Sequence, residues 1–495
     1  MLPTQTTMEL TAYSSLYDIV VPKDNLLRKI KEMVDFSFVY DELKSKYSID
    51  KGREAEDPIR MFKYLMIKNI SGLSDIDLVD HCKYDMSYKF FLDLAPEANV
   101  IDDTTLSYFR RKRLKDVNLL DMLITKSIEI AVSKGINMGK TIIVDSTHSM
   151  ARSNPVIPAG ALQKQAKILR KVVYVASEQT KEKVKEGMPK KYEGSDLEKQ
   201  LDYVTSLLGY LKEKKISKLP AVFEKMNLLE EMIGDVKDHF SVSVDKDARM
   251  GHKSADSGFY GYKGHLAVTP DRLVAAATMT SGEKADGPQL PELIQKAKEN
   301  MPDLEEVVGD AAYSGQANLE NAEKEGVTII AKVNGVLLTT KNERKGFTYN
   351  KDAHTMVCPA GELPQLVEHA NFNNKKVQSH KDIYYFPLEK CRVCAHAEEC
   401  GFVIGAKKKR GRKYCVTVHT EQQNRQIERQ KTDEFREKYK VRYIVEAKNS
   451  ELKHSYHMDR AISYGLDAFT MQGAVAIFMS NLVRISRITD EKTAK

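Results

Sequence analysis

Hydrophobic and polar positions along the chain follow two periods. Short β-branched runs bounded by small or acidic residues predict strands, and apolar residues three and four positions apart predict helices. The predicted strands span 141–145, 262–268, 273–279, 307–310 and 327–333. Two predicted helices, 288–299 and 317–324, alternate with the later strands. This alternation predicts an α/β fold.

Two long segments interrupt the predicted sheet. In the first, from about 150 to 259, apolar positions recur at helical spacing over 163–175 and 197–212, which indicates helix-on-helix packing. The second runs from about 334 to 432 and contains five of the six cysteines. The catalytic or binding part of the chain is therefore predicted to be discontinuous.

The first roughly 135 residues are predicted to be all-helical and separate from the sheet. Asp57 and Pro58 suit a helix start, and Ser74 suits a helix cap. Asp103 opens a basic helix. Its basic residues are Arg110, Arg111, Lys112 and Arg113. The residues alone fit a helical bundle with a basic outer face.

Two aspartates each follow a short apolar run with β-branched residues. Asp145 ends the run from Thr141, and Asp310 ends a run that is closed by a small-residue turn. Taken singly, such aspartates more often end strands or cap helices.

A third carboxylate, Glu446, lies in a segment with a distinctive spacing. One helix through this segment, at about 100° per residue, would place Tyr439, Arg442, Glu446 and Lys453 on one face. The Arg442 and Glu446 pair alone is more simply an ordinary helix ion pair. The whole pattern is less easily explained by helix stability alone.

The spacing Tyr-x2-Arg-x3-Glu-x6-Lys resembles the signature around the third acidic residue of bacterial insertion-sequence transposases of the DDE class. The segments around Asp145 and Asp310 resemble the first and second catalytic blocks of the same family, in the family's order. The resemblance extends from about Gly52 to Arg484. It implies an RNase H-like fold, with a mixed five-stranded sheet flanked by helices, an all-α N-terminal domain and two insertions.

The resemblance also implies a division into domains. The helical DNA-binding domain would span 1–135, and its run from Gly52 to Arg113 resembles the family's amino-terminal domain, with helix-turn-helix-like contact to transposon ends. The resemblance makes Arg110, Arg111, Lys112 and Arg113 candidate phosphate contacts. A helical bundle with a basic outer face remains the alternative. The catalytic domain would combine 136–150, 255–335 and 433–490. The helical insertion would occupy 151–254, and the cysteine-containing insertion 336–432.

The implied reaction is metal-dependent DNA cleavage at transposon ends and strand transfer into target DNA, without a covalent protein–DNA intermediate. Asp145, Asp310 and Glu446 would hold two Mg²⁺ or Mn²⁺ ions, which prefer hard oxygen ligands. Two rival functions stay open. One is a metal-dependent nuclease that does not join DNA, and the other is a non-catalytic, transposase-derived DNA-binding protein.

The implied partner is double-stranded DNA, both the terminal inverted repeats and the target. Tyr439, Arg442 and Lys453 would bind phosphates near the transposon end, where a guanidinium can bind bidentately. Synapsis of two ends implies a homodimer on DNA.

Four cysteines have spacings that suit tetrahedral Zn²⁺. They are Cys358, Cys391, Cys394 and Cys400, and they resemble the cysteine cluster of one insertion-sequence subgroup. His354 or His396 could replace one thiolate. Reduced structural thiols in a cytoplasmic protein are the alternative, and we favour zinc.

A basic run follows this cluster. It comprises Lys407, Lys408, Lys409, Arg410, Arg412 and Lys413. Such a run is usually a solvated loop, but DNA is the favoured partner because phosphate neutralisation releases counterions. The whole chain of 495 residues carries only +7, with a pI near 8.7, so the positive charge is local.

Membrane insertion is not predicted. The most apolar stretch, 469–485, is interrupted by Gln472, Asn481 and Arg484, which indicates a buried helix rather than a membrane span. No charged-then-apolar amino-terminal signal is found. We therefore expect a cytoplasmic, nucleoid-associated protein.

Overall fold

The computed structural model describes residues 11–48, 55–153, 158–184, 186–194, 196–237, 245–254, 257–333, 346–350, 355–374, 377–397, 400, 413–417 and 420–493. The helices are α1 Leu16–Val20, α2 Leu26–Met33, α3 Ser37–Leu43, α4 Pro58–Ser71, α5 Asp75–Tyr84, α6 Met86–Phe91, α7 Asp103–Lys112, α8 Leu119–Ser133, α9 Pro158–Thr180, α10 Leu197–Lys212, α11 Pro220–Lys237, α12 Leu290–Asn300, α13 Gln316–Lys324, α14 Leu388–Arg392, α15 Glu421–Arg429, α16 Asp433–Lys440, α17 Tyr443–Ser455 and α18 Leu466–Thr493. The strands are β1 Thr141–Met150, β2 Arg249–Ser254, β3 Ser257–Val268, β4 Val274–Ser281, β5 Glu306–Val308, β6 Thr328–Ile330, β7 Thr348–Asn350, β8 Thr355–Val357, β9 Leu366–Asn374, β10 Val377–Tyr385 and β11 Lys413–Thr417.

The central sheet is mixed. Its strand path runs β2, β3, β1, β5, β6, and β4 also pairs with β3. Strand β3 is antiparallel to β1, β2 and β4, whereas β1, β5 and β6 run parallel. The fold is therefore α/β, as predicted. The sheet has six described strands instead of the predicted five, because β3 is long enough to pair with β2 over 257–261 and with β4 over 262–268.

Both faces of this sheet are buried. Successive side chains of a strand point to opposite faces, so Ile142 and Val144 pack on one face while Ile143 packs on the other. Helices α12 and α13 cover the first face. Helices α8, α17 and α18 cover the second, and this two-sided burial explains why β1 begins with an uninterrupted apolar run.

Helix α18 joins the N-terminal helices to the sheet in one core. The ring of Phe478 lies 6.1 Å from Phe62 and 6.3 Å from Phe38. Asn481 donates to Ser127 Oγ at 2.8 Å and accepts the N–H of Val274 of β4 at 2.9 Å. The N-terminal helices, predicted to be separate, therefore share one hydrophobic core with α18 and the sheet.

The apolar character of α18 is explained by this burial. The helix is long and apolar enough to cross a membrane by composition, but 72% of its apolar window is buried inside the protein. This burial supports the sequence-based interpretation of a core helix.

The predicted helix caps of the N-terminal region are confirmed. The Asp57 carboxylate accepts the N–H of Ile59 at 2.8 Å, with Pro58 in the first turn of α4. The Ser74 hydroxyl accepts the N–H of Asp77 at 3.1 Å and so starts α5. These side chains satisfy backbone donors that have no partner within the helix.

The two insertions have hydrophobic clusters of their own. Helices α9, α10 and α11 pack around Leu162, Val204 and Leu229, in agreement with the predicted helix-on-helix packing. The second insertion contains the β7–β8 hairpin and the β9–β10–β11 sheet, with a small cluster around Phe347 and Tyr384. The boundaries assigned to the domains remain predictions.

Candidate active site

Asp145 and Asp310 lie at matched positions beside two adjacent parallel strands. The last parallel pair between β1 and β5 joins Ile143 to Val308, and each aspartate follows two residues later in its own chain segment. Neighbouring strands are about 4.8 Å apart. The topology therefore places the two aspartates next to each other, just beyond the carboxyl end of the β1–β5 pairing.

The prediction that Asp145 ends its strand is wrong. β1 continues to Met150, because β3 is long enough to pair with it over its whole second half, and Asp145 faces Leu266 in this ladder. What ends before Asp145 is only the pairing with β5. The β1–β5 ladder thus ends at Ile143, two residues before Asp145, on the side of β1 that faces β5.

Electrostatic surroundings raise the pKa of the Asp145 carboxyl to about 6. Burial is the main cause, and the negative charges of Asp310 and Asp286 add to it, while the N–H of Ser146 and the Arg442 guanidinium oppose it. The negative charges grouped around Asp145 form a site whose charge suits a cation.

Asp310 also caps a short helix. Its Oδ1 accepts the N–H of Ala312 at 2.8 Å at the start of the 3-10 turn Ala311–Ser314. The helix-capping interpretation of this aspartate is therefore correct. It is compatible with a second role, because a carboxylate has two oxygens and about four acceptor positions.

The prediction of one continuous helix from Tyr439 to Lys453 is wrong. Tyr439 belongs to α16, and Arg442 immediately precedes α17. Between them, the N–H of Arg442 bonds to the carbonyl of Tyr439 at 3.3 Å and the N–H of Ile444 to that of Val441 at 3.0 Å. These i to i−3 bonds form a tight turn.

The side chains of this segment nevertheless meet as the spacing predicts. Arg442 Nη2 lies 2.7 Å from Glu446 Oε1, and Arg442 Nη1 lies 3.4 Å from the hydroxyl of Tyr439. The side chain of Glu446 is 55% exposed. The turn thus replaces the helix without separating the guanidinium from the carboxylate.

Helix α17, which carries Glu446, contacts Asp145 of β1 through the side chain of Asn449. Asn449 Nδ2 donates to Asp145 Oδ2 at 3.0 Å, and Glu446 lies one helical turn before it. Further along, Lys453 Nζ lies 3.4 Å from Nδ1 of His148 on β1. Sequence reasoning missed Asn449, although its position three residues after Glu446 is the signal that could have found it.

A buried lysine holds α17 from its other side. Lys448 is fully buried and bonds to the Ser480 hydroxyl of α18 and to Glu451 at 3.2 Å. Burial lowers its pKa to about 8. The pair of contacts, Lys448 to α18 and Asn449 to β1, sets the position of the helix that carries Glu446.

The negative charge of the site suits a divalent cation, but its described side chains are not placed as a set of metal ligands. Among the residues that the structure describes, no group of three or more His, Cys, Asp and Glu side chains is arranged to hold a metal ion. Glu446 is engaged by Arg442. Metal binding by all three carboxylates would therefore need side-chain rearrangement around Arg442.

The three basic residues at the end of α7 and Arg113, which follows the helix, have different surroundings. Arg110 donates to the Asp75 carboxylate through both terminal guanidinium nitrogens, Nη1 at 3.0 Å and Nη2 at 2.5 Å. Arg113 donates to the carbonyl of Lys46 and stacks over Tyr47. The side chains of Arg111 and Lys112 are exposed.

The four predicted zinc ligands line one pocket of about 460 Å³, together with His396. They are not drawn into a single ligand set within the described part of the chain. Of the other candidates, His354 and residues 407–412 lie outside the described residues, and only the backbone of Lys413 is described, at the start of β11.

The sheet groups two aspartates beside a helix that carries acidic and basic side chains, and such side chains can bind divalent cations and phosphate groups. Residues 230–482, just over half of the chain, match the family described as Transposase DDE domain, and residues 15–112 match the transposase domain described as DUF772. The chain therefore belongs to the DDE transposase family and acts on DNA. This confirms the resemblance to insertion-sequence transposases.

The matched range includes Asp310 and Glu446. Asp145 lies before it, on β1, and the helical insertion separates β1 from most of the match. Searches among curated proteins and among solved structures gave no match.

Proposed function

We propose that this transposase cleaves DNA at the ends of a mobile element and transfers the strands into target DNA, using Asp145, Asp310 and Glu446 in an RNase H-like domain. The matched placement of Asp145 and Asp310 beside adjacent parallel strands carries this proposal. Four antiparallel strands, β1 to β4, precede β5 and β6, which run parallel to β1, and the β1–β3–β4 part of this order supports the assignment of the fold.

The three carboxylates would hold two Mg²⁺ or Mn²⁺ ions. Bound ions of this kind supply Lewis acidity at the scissile phosphate and lower the pKa of the attacking hydroxyl. Asn449 orients the Asp145 carboxylate through its hydrogen bond. The backbone N–H of Ala312 similarly orients Asp310.

Phosphate binding is assigned to the cations beside the carboxylates. The Arg442 guanidinium can bind a phosphate bidentately with donors that Glu446 and Tyr439 leave available. Lys453 adds a positive charge near His148. The partner would be double-stranded DNA, both terminal inverted repeats and target, bound by a homodimer.

The experiment compares purified wild-type protein with Asp145→Asn, Asp310→Asn and Glu446→Gln on DNA that carries the inverted repeats flanking the coding region. Each variant should lose cleavage and the joining of a pre-cut 3′-hydroxyl end, while DNA binding survives. The control is Glu129→Gln, an exposed carboxylate of α8 that pairs with Lys126.

Two outcomes would contradict the proposal. Cleavage without joining by the wild-type protein identifies a nuclease. Unchanged cellular activity in all three variants identifies a non-catalytic DNA-binding protein.

A further inference from the structure

A fourth carboxylate, Asp286, lies near the two aspartates. It follows β4 and precedes the 3-10 turn Gly287–Gln289. Lys263 of β3 donates to its Oδ1 at 2.9 Å. Its negative charge contributes to the raised pKa of Asp145, as that of Asp310 does. Asp286 is therefore close enough to Asp145 for their charges to interact.

The turn that carries Asp286 is joined to the turn that carries Asp310. A side chain added at Gly287 would meet the carbonyl oxygen of Ala312 at 2.6 Å, so the two backbones are in close contact. Asn318 donates to the carbonyls of Gly287 at 2.9 Å and Tyr313 at 3.1 Å. Asp286 and Asp310 thus lie on two turns that cannot move independently.

Two buried polar groups point to a ligand at this place. His265 is fully buried, and its Nδ1 lies 3.8 Å from Asp286 Oδ1 without a hydrogen-bond partner among the described residues. The hydroxyl of Tyr313, a residue only 1% exposed, has no partner there either.

Both groups lie in the field of the carboxylates. The charges of Asp286, Asp145 and Asp310 raise the pKa of Tyr313 in addition to burial. Burial lowers the pKa of His265 to about 4, so this ring is neutral at pH 7 and does not offset the charge of Asp286. Buried polar groups are normally satisfied by protein or ordered water, and a hydrated cation would supply such water.

We propose that Asp286 is a positioning residue of the metal centre, whose charge strengthens divalent-cation binding by Asp145 and Asp310 and is partly neutralised by Lys263. This inference rests on the proposed function, because it takes those two aspartates as metal ligands. Asp286 acts through its electrostatic field at the site and through the contact between its turn and the turn of Asp310, and it does not itself bind the ion.

The test measures Mn²⁺ binding to the full-length, DNA-free protein by electron paramagnetic resonance of free Mn²⁺ at constant ionic strength. Asp286→Asn, which removes only the charge, should weaken binding roughly tenfold, the scale of one nearby unit charge. Lys263→Met should tighten it by several-fold. The double variant should return towards the wild-type value, and Asp286→Glu should restore binding.

These opposite signs separate the charge effect from a structural one. If Asp286 serves only to hold β3 and its turn, both single variants weaken binding, and the inference is overturned. Unchanged binding in Asp286→Asn also overturns it. Failure of the proposed function has a different signature, namely unchanged Mn²⁺ affinity in Asp145→Asn and Asp310→Asn.

Discussion

Arg442 Nη2 lies 2.7 Å from Glu446 Oε1, so the guanidinium assigned to phosphate binding is also the partner of the third carboxylate. The two side chains are 29% and 55% exposed. Exposed pairs with this spacing stabilise a helix by only about 0.3–0.5 kcal/mol. Such a weak pair can open when a phosphate or a cation competes for either partner.

Substitution of Arg442 should therefore reduce the cleavage rate strongly while it changes the stability of the fold only slightly. We expect Arg442→Ala to change the free energy of unfolding by less than about 1 kcal/mol and to slow cleavage at the transposon end by roughly 100-fold, the scale of one lost electrostatic contact in a transition state. The cleavage rate of Arg442→Lys should lie between those of the wild type and Arg442→Ala, because lysine keeps the positive charge but lacks the paired N–H donors of the guanidinium. Urea unfolding and a single-turnover cleavage assay give the two quantities.

The control for this pair is Arg425→Ala, which breaks an exposed ion pair of similar length, 2.8 Å, between Arg425 and Glu323. Its cleavage rate should equal that of the wild type. Wild-type cleavage by Arg442→Ala would contradict the role of the guanidinium.

Asp145 should make stability depend on pH in the direction opposite to most carboxylates. Its pKa is raised from 3.8 to about 6, mainly by burial, so the folded state holds a proton that the unfolded state has released between these values. The free energy of unfolding therefore falls as pH rises from about 4 to 6. The penalty is absent below this window and fully present above it.

Asp145→Asn removes this penalty. Without divalent cations, we expect the variant to be more stable than the wild type by about 1–2 kcal/mol at pH 8, given about 1.4 kcal/mol per pKa unit and partial solvent exposure. The difference should vanish near pH 4. Denaturant unfolding at both pH values measures it, and a variant less stable than the wild type at pH 8 would refute the raised pKa.

The basic residues of α7 should divide into two functional groups. Removing the exposed side chains in Arg111→Ala/Lys112→Ala should weaken binding to end DNA and reduce the slope of log K against log salt by up to about 1.8, or about 0.9 per phosphate. Arg110→Ala should instead reduce stability, because Arg110 binds Asp75 bidentately. Fluorescence anisotropy across a salt series distinguishes them. An unchanged slope in the double variant would place the DNA elsewhere.

Zinc should be found in the protein if the cysteine pocket is a metal site. We expect stoichiometric zinc by elemental analysis, and its loss in Cys391→Ser/Cys394→Ser, since both side chains line the pocket. The control is Cys82→Ser, because Cys82 is fully buried in α5, where burial raises the pKa of its thiol to about 12. Zinc-free protein prepared without chelators would favour reduced structural thiols.

Local patterns in the sequence determined several helices and helix caps and the spacing of the site. The caps at Asp57 and Ser74 and the full extent of α10, 197–212, follow from short-range hydrogen bonding and helical periodicity. The contact between Arg442 and Glu446 was also predictable, because a separation of four residues brings side chains together even where a tight turn replaces part of the helix.

Only the tertiary structure decided which distant groups meet. Asn449 donates a hydrogen bond to Asp145, which lies 304 positions away in the sequence. Lys263 pairs with Asp286, one of many carboxylates in the chain. Likewise, β1 extends beyond Asp145 because β3 pairs with it, and the N-terminal helices share a core with the sheet because α18 packs between them. Strand pairing and burial depend on contacts between residues far apart in the sequence, and a local sequence pattern does not identify those distant partners.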